Sequence, residues 1–394
     1  MTSFATLPDN GPVRVVLVGA GNMGQHWMRV VEESTNVELV GLVDLDLALA
    51  QRVVAEHRLS VTVGGSLTAV ADESGAEAVI DVTVPPAHHA VNTEALFAGL
   101  PVLCEKPIAP TVSETLSLIA ASEISGRLLM TSQSRRYYPA LAELRDIVPT
   151  LGDIGAVTTE FFKAPHFGGF RDEMAHPLLI DMAIHAFDVA RYLLDADPVT
   201  VDCRTFNPSW SWYRGDAAAT ALFEFEGGTR YSYVGSWCSP GLETSWNGNW
   251  RVSGSRGTAT WDGEREPAVE YVDGAPPSAG RVDPVRAEIA GALDEFVEAL
   301  RTGVAPSGEV HSNVHSLAMV EAAVLSADRA GTVEIAVVME DAYRTAIENE
   351  RRDDVRAVLE SWGSASARLG SGREVRSHGS ERRPGPTHPI EVSP

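Results

Sequence analysis

The first third of the chain alternates short, nearly continuous apolar runs with stretches whose apolar residues recur at helical spacing. Residues 13–18, 37–43, 78–82, 102–104 and 128–131 read as strands, and 23–33, 47–57, 87–98 and 114–123 as helices. Strands that are apolar at every position are buried on both faces, and helical crossovers between them keep them parallel. The expectation is an α/β chain that begins with a doubly wound Rossmann sheet. Beyond residue 132 the rhythm changes. A helix over 139–147 and a strand over 156–163 precede a strongly apolar helix at 178–194. Strand candidates follow at 199–206, 217–225, 229–237, 249–253 and 257–261, separated by short turns such as Glu226-Gly227-Gly228. Most of these should pair antiparallel. Helices over 284–302 and 310–330 then close a second, α+β domain built on one large, open, mostly antiparallel sheet. An open sheet needs its other face covered, and a second subunit supplies a cover, so a homodimer or homotetramer through this sheet is expected.

The organisation expected is therefore a nucleotide-binding Rossmann domain over residues 1–132 and a substrate and oligomerisation domain over 133–340. An extra helix over 341–362 follows, carrying Ile347, Val355, Val358, Leu359 and Trp362. The Gly/Ser/Arg/Pro-rich tail over 363–394 is expected to be disordered.

Composition narrows the function classes. The 394 residues hold 31 Lys+Arg against 54 Asp+Glu, a net charge of −23. That excludes a general nucleic-acid binder, which needs a basic face, and disfavours an anionic membrane surface. There is no apolar run of membrane-spanning length and no basic-then-apolar leader pattern. The three cysteines, Cys104, Cys203 and Cys238, show no CxxC spacing, so a reduced cytoplasmic protein without a structural metal is the plain reading.

The apolar strand at 13–18 runs directly into Gly19-Ala20-Gly21-Asn22-Met23-Gly24, and Asp44 ends the next strand. A GxGxxG between strand and helix, with an acidic residue about 20 positions on, is specific for a dinucleotide. Gly19 permits the tight turn, Gly21 the approach of a pyrophosphate, and Gly24 the packing of helix on strand. The helix N-terminus offers free N–H groups and a positive dipole end. Asp44 suits a ribose 2′-hydroxyl and repels a 2′-phosphate, which favours NAD over NADP.

Two further features carry chemistry. Glu105-Lys106-Pro107 ends the strand at 102–104, and ligands of open α/β sheets bind at the carboxyl ends of strands. Lys106 is placed to reach the working end of a cofactor; a solvated strand-end lysine is the bland alternative. In the apolar helix at 178–194, Asp181, His185 and Asp188 fall at i, i+4 and i+7, on one face. Buried ionisable groups are costly unless paired, so such a stripe lines a cleft, binds a metal, or ties the helix to its sheet. In the first case Asp181 holds one ring nitrogen of His185 and leaves the other free as a base.

The glycine loop, Glu105-Lys106-Pro107 and Asp181-x-x-x-His185, in this order and at these separations, resemble the glucose–fructose oxidoreductase, inositol dehydrogenase and MocA (Gfo/Idh/MocA) family over about residues 13–335. Thr83-Val84-Pro85-Pro86-Ala87-His88-His89 resembles its loop beside the nicotinamide. Ser134-Arg135-Arg136-Tyr137-Tyr138-Pro139 resembles its domain junction, and 250–257 its late hairpin. The resemblance implies hydride transfer between NAD(P) and a hydroxyl carbon of a sugar, cyclitol or related polyol. In it Lys106 bonds the reacting hydroxyl, Asp181 orients the site, and His185 is the acid/base. It places Thr83, Pro85, His89 and Glu105 beside the cofactor and no metal in the site. Arg136, Lys163 and His176 are candidate substrate contacts; Lys163, His166 and Arg171 share a glycine-containing loop that either covers the substrate or is a simple surface loop, and His176 either meets substrate or serves helix entry. His176-Pro177-Leu178-Leu179 departs from the glycines common there, which leaves substrate shape open. Two other activities fit the same residues: a cofactor-retaining glycoside hydrolase and a non-enzymatic sugar or redox sensor. Aromatic residues between 206 and 261 suit either stacking on sugar rings or simple packing.

Replacing Asp44 by Ala should weaken NAD far more than NADP in a fluorescence titration. Equal losses would remove the argument for NAD.

Overall fold

In the computed structural model, which describes residues 4–8, 10–274 and 286–370, the expected βα alternation forms a six-stranded sheet. Its elements are β1 (Val13–Val18), α1 (Asn22–Glu32), β2 (Val37–Val43), α2 (Leu47–His57), β3 (Thr62–Gly64), α3 (Leu67–Ser74), β4 (Ala78–Asp81), α4 (Pro85–Phe97), β5 (Val102–Glu105), α5 (Val112–Ser125) and β6 (Leu129–Ser132). The strand order is β3-β2-β1-β4-β5-β6, and every pair is parallel. The order reverses between β1 and β4, so the loops leaving these strands diverge and open a crevice at their carboxyl ends. β3 is only three residues long, too short to announce itself as an apolar run.

The second domain contains α6 (Pro139–Ile147), β7 (Ile154–Phe162), a π-type turn at Leu178–Ala183, α7 (Ile184–Leu194), β8 (Pro198–Phe206), β9 (Ala218–Phe225), β10 (Arg230–Ser236), β11 (Asn249–Gly254), β12 (Gly257–Trp261) and β13 (Ala268–Tyr271). After these come α8 (Glu288–Thr302), α9 (Val310–Arg329), β14 (Val333–Glu334), α10 (Ile335–Asn349), α11 (Asp353–Ser361) and α12 (Ala365–Leu369). Eight strands form one sheet in the order β13-β12-β11-β7-β10-β9-β8-β14, antiparallel except where β10 meets β7. The strands alternate in burial, as a sheet covered on one face must. α7 covers that face through Phe187, whose ring meets Phe223, Tyr231 and Tyr233 edge-on. The opposite face leaves Thr158, Glu160, Thr220, Leu222 and Val234 exposed.

Three expectations are corrected. The helix assigned to close the second domain, α8, completes the first: Ile289, Leu293, Phe296 and Leu300 pack with Val13, Val15, Leu17 and Trp27. An apolar stripe at helical spacing specifies that a helix is buried but not which sheet receives it. The single helix expected over 341–362 is two, α10 and α11. They break at Glu350, whose carboxylate accepts the N–H groups of Arg351 and Arg352, and both pack on α5 of the first domain. The expected disorder does not begin at residue 363. Ser364 caps α12, Leu369 is buried, and Arg368 reaches Glu123 on α5. Residues 371–394 lie outside the described residues. No helix among those described is long and apolar enough to cross a membrane.

At this clasp His311 on α9 lies between Glu123, at 2.9 Å, and Glu309, at 2.6 Å. Burial opposes its charge, but the two carboxylates outweigh burial and raise its pKa to about 9. A group whose pKa is raised on folding stabilises the fold fully below its unfolded value, and that stability is lost as pH rises through the folded value. The urea midpoint should therefore fall between about pH 6.5 and 9.5, by at most roughly 3 kcal/mol of stability. In His311→Gln the fall should be much smaller; an equal fall would exclude this cluster as its source.

Candidate active site

The loop after β1 is shaped by backbone sterics. Gly19 has φ +107°, and a Cβ on Gly24 would lie 1.9 Å from the Gly19 carbonyl oxygen. A Cβ on Gly21 would instead project into open space, where the loop leaves room for a ligand. No side chain caps the start of α1, so its first N–H groups are free for an anion, with Asn22 and Met23 exposed beside them. Asp44, at the end of β2, accepts the N–H of Ala20 at 2.7 Å and that of Asp46 at 2.8 Å. It steadies the loop and keeps a lone pair on each oxygen for ribose hydroxyls. These residues fit a dinucleotide.

Across the crevice, the loop after β4 is tied inward. The Thr83 N–H and hydroxyl donate to Asp81 at 3.0 and 2.7 Å, and Pro85 opens α4. His88, fully buried, places Nδ1 2.7 Å from the Pro107 carbonyl and Nε2 2.9 Å from that of Thr83. It thereby joins this loop to the segment carrying Lys106. His89, expected at the cofactor, points away and meets the Ser117 hydroxyl on α5 at 3.1 Å. Successive helical residues diverge by about 100°, so only one of the pair faces the loop. Glu105 accepts the Trp27 indole N–H at 2.9 Å and the Lys106 N–H at 3.1 Å, and burial pushes its carboxyl pKa up. It anchors the end of β5 to α1. Asp81, His88 and Cys104 bring their ligand-type atoms within 4.8 Å of one another. Both His88 ring nitrogens are already taken by backbone carbonyls, and burial, then Asp81, raises the Cys104 thiol well above its usual value.

Lys106 crosses to the second domain. Its ammonium donates to the Asp181 carbonyl at 2.8 Å and to the Asp181 carboxylate at 3.1 Å. The other carboxylate oxygen accepts from Arg171 at 2.6 Å. Burial raises the Asp181 pKa, but Lys106 and Arg171 outweigh burial and hold it below the usual carboxylate value. The expected Asp181–His185 hydrogen bond is absent. Asp181 sits in the π-type turn, whose extra residue shifts it off the regular i, i+4 alignment, and both its oxygens are engaged by cations. His185, in the first turn of α7, makes no hydrogen bond with any described residue, and its Nδ1 is sealed from solvent. Burial, then the charges of Lys106 and Arg135, hold its pKa well below the usual histidine value, so the imidazole is neutral.

The remaining expected contacts lie elsewhere. Arg136 donates to Asp188 at 2.8 and 2.6 Å and to the Ser307 carbonyl at 2.5 Å. Asp188 also accepts from the Ser316 hydroxyl at 2.7 Å. Arg136 thus fastens the domain junction to α7 rather than lining the cleft. His176 faces Asp328 on α9 at 3.2 Å. Lys163 pairs with Glu243 at 2.9 Å and lies over the Trp246 ring. Arg171, in the glycine-containing loop 163–171, joins the site by its bond to Asp181 rather than as a cover over substrate. Phe167, in the same loop, stacks on Trp246 and is 57% exposed.

A dinucleotide crevice with a lysine, a carboxylate and a neutral imidazole at its second-domain wall defines an oxidoreductase site. The model of an oxidoreductase family with an NAD-binding Rossmann fold matches residues 13–133, and that of the Gfo/Idh/MocA C-terminal domain matches residues 143–260. The chain belongs to the Gfo/Idh/MocA oxidoreductase family. It is 32% identical to an uncharacterized protein of Sinorhizobium fredii over 63% of this chain and 72% of that one. It is 30% identical to inositol 2-dehydrogenase 1 of Saccharopolyspora erythraea, over 48% of this chain and 56% of that relative. An oxidoreductase from Agrobacterium radiobacter, solved with NAD+, L-tartaric acid and magnesium, shares the fold with a TM-score of 0.74. It is 20% identical over 82% of this chain and 99% of that one.

Removing one partner of a buried ion pair leaves an uncompensated charge. Arg136→Met should therefore lower stability by about 3–5 kcal/mol in urea unfolding. Unchanged stability with a raised substrate KM would restore Arg136 as a substrate contact.

Proposed function

We propose that the protein is an NAD-dependent dehydrogenase that oxidises a hydroxyl carbon of a sugar, cyclitol or related polyol. The observation that carries this reading is the meeting of Lys106, Asp181 and neutral His185 at the carboxyl end of β5. The similarity to an inositol 2-dehydrogenase supports a ring polyol as substrate. Gly19, Gly21, Asn22, Met23 and Gly24 hold the pyrophosphate; Asp44 holds the ribose and favours NAD; Thr83 and Pro85 border the nicotinamide end. NAD supplies the acceptor for the hydride leaving the carbinol carbon. His185 takes the hydroxyl proton through Nε2, since Nδ1 is sealed. The Lys106 ammonium stabilises the developing alkoxide, and Asp181 aims that ammonium while neutralising it in the resting site. Arg171 keeps Asp181 ionised. The loop bearing Phe167 and the Trp246 ring wall the polyol with aromatic faces. Two copies associate through the exposed face of the eight-stranded sheet. The three free, buried thiols accord with a reducing cytoplasm.

The test is NADH formation with purified protein, NAD or NADP, and a panel of sugars, cyclitols and sugar acids. Lys106→Ala and His185→Ala should each lower kcat by at least about a hundredfold while leaving the Kd for NAD nearly unchanged. Full turnover in either variant would remove that residue from the mechanism.

A further inference from the structure

Charges held away from water need partners of opposite sign, and the wall of this cleft is short of anions. Asp181 is shared by two cations, Lys106 at 3.1 Å and Arg171 at 2.6 Å. Other cations nearby have carboxylates of their own: Lys163 has Glu243, Arg214 has Glu173, and Arg136 has Asp188. Arg135, one of the charges that hold His185 neutral, has none among the described residues; its guanidinium donates to the Tyr138 hydroxyl at 3.1 Å. Asp172, beside Arg171 in the chain, is the one carboxylate of this loop that forms no ion pair with a described residue, and its Oδ1 is buried without a partner. Lys106, Arg171 and Arg135 thus face only Asp181 and Asp172. The excess of positive charge is local, in a chain of net charge −23. An oxidised nicotinamide brings one more positive charge to the same end of the crevice.

Arg171 is also the cation with unused donors. A guanidinium carries five N–H groups in one plane. Only the Nε–H of Arg171 is engaged, by Asp181. Its Cζ lies over the Phe167 and Phe170 rings, at 5.5 and 4.7 Å, and these contacts restrain the guanidinium without consuming an N–H. The side chain is 33% exposed, and Nη1 and Nη2 make no hydrogen bond with any described residue. Two such nitrogens form the planar fork that matches a carboxylate through parallel hydrogen bonds. The place of the fork follows from the shared anion. Lys106 and Arg171 hold different oxygens of Asp181, so one carboxylate separates the fork from the ammonium assigned to the reacting hydroxyl. A substituent one or two carbons from the reacting carbon spans that gap.

We propose that the substrate is a sugar acid, a polyol bearing a carboxylate one or two carbons from the reacting hydroxyl, and that Arg171 binds this carboxylate through Nη1 and Nη2. The inference rests on the dehydrogenase reading and names the substrate class of the same site. The substrate's anion then supplies the charge that the wall lacks. One fork suits a monoanion; a phosphate dianion has more charge and more acceptors than it can match.

The test compares matched pairs, D-gluconate with D-glucitol and D-glucuronate with D-glucose, together with D-glucose 6-phosphate. NADH formation at low ionic strength gives kcat/KM for each. Binding to the NADH-loaded protein, followed by cofactor fluorescence, gives affinities without turnover. At least one acid should exceed its neutral counterpart by about tenfold in kcat/KM and in affinity. The advantage should shrink as salt is raised. Arg171→Lys keeps a cation beside Asp181 but removes the fork. It should lower the ratio of acid to neutral substrate about tenfold, through the KM and Kd of the acid. Preference for the neutral compounds, an unchanged ratio in Arg171→Lys, tighter binding of the phosphate, or no binding of either acid overturns the proposal. Acid binding that depends on Arg171 but yields no NADH would keep the anion site and count against the dehydrogenase reading instead.

Discussion

The contact between Lys106 and Asp181 sets the terms for the rest of the molecule. It joins the end of a strand in one domain to the entrance of a helix in the other, with an N···O distance of 3.1 Å and side chains 16% and 15% exposed. Charges so far from water are tolerable only as a pair with correct geometry. Each end must therefore be held independently. Lys106 is held through its backbone: Glu105 is tied to Trp27, and the Pro107 carbonyl to His88. Asp181 is held by Arg171 and by the π-type turn. The two domains must also keep one register. Three helices late in the chain meet that demand by reaching back: α8 completes the core of the first domain, while α10 and α11 lie against α5.

Beneath this contact, α7 is pinned by two further ion pairs, Arg136–Asp188 and Arg191–Asp197, each with an N···O distance of 2.6 Å. They consume the other charges of the helix and its surroundings, so His185 stands between cations with no anion of its own. Burial first, and these cations second, keep the imidazole neutral, and in the proposed reaction such an imidazole would take a proton while the ammonium stabilised the oxyanion left behind. The site is assembled by dividing partners: Asp181 goes to Lys106 and Arg171, Asp188 to Arg136, and the base is left without a carboxylate.

Much of this was legible in the chain. The apolar runs and the GxGxxG are local signals, and the structure places β1, α1 and Asp44 as those signals require. Lys106 was legible because strand ends in parallel sheets face the crevice. The stripe Asp181, His185, Asp188 was legible as polar residues on a buried helix, but its internal wiring was not. One π-type turn redirects Asp181 to Lys106, and Asp188 goes to Arg136, a residue far away in sequence. His88 and His89 are neighbours of the same chemistry, and only the orientation of α4 decides that the first clasps the loop and the second goes to Ser117.

The sequence by itself determined the Rossmann sheet, the dinucleotide loop and the residue types of the site, because hydrophobic period and turn chemistry act over a few residues. The tertiary structure alone decided which charge meets which, that α8 serves the first domain, and that His88 rather than His89 clasps the loop after β4. These depend on contacts between residues distant in the chain, where a side chain's partner follows from how helices dock and not from spacing.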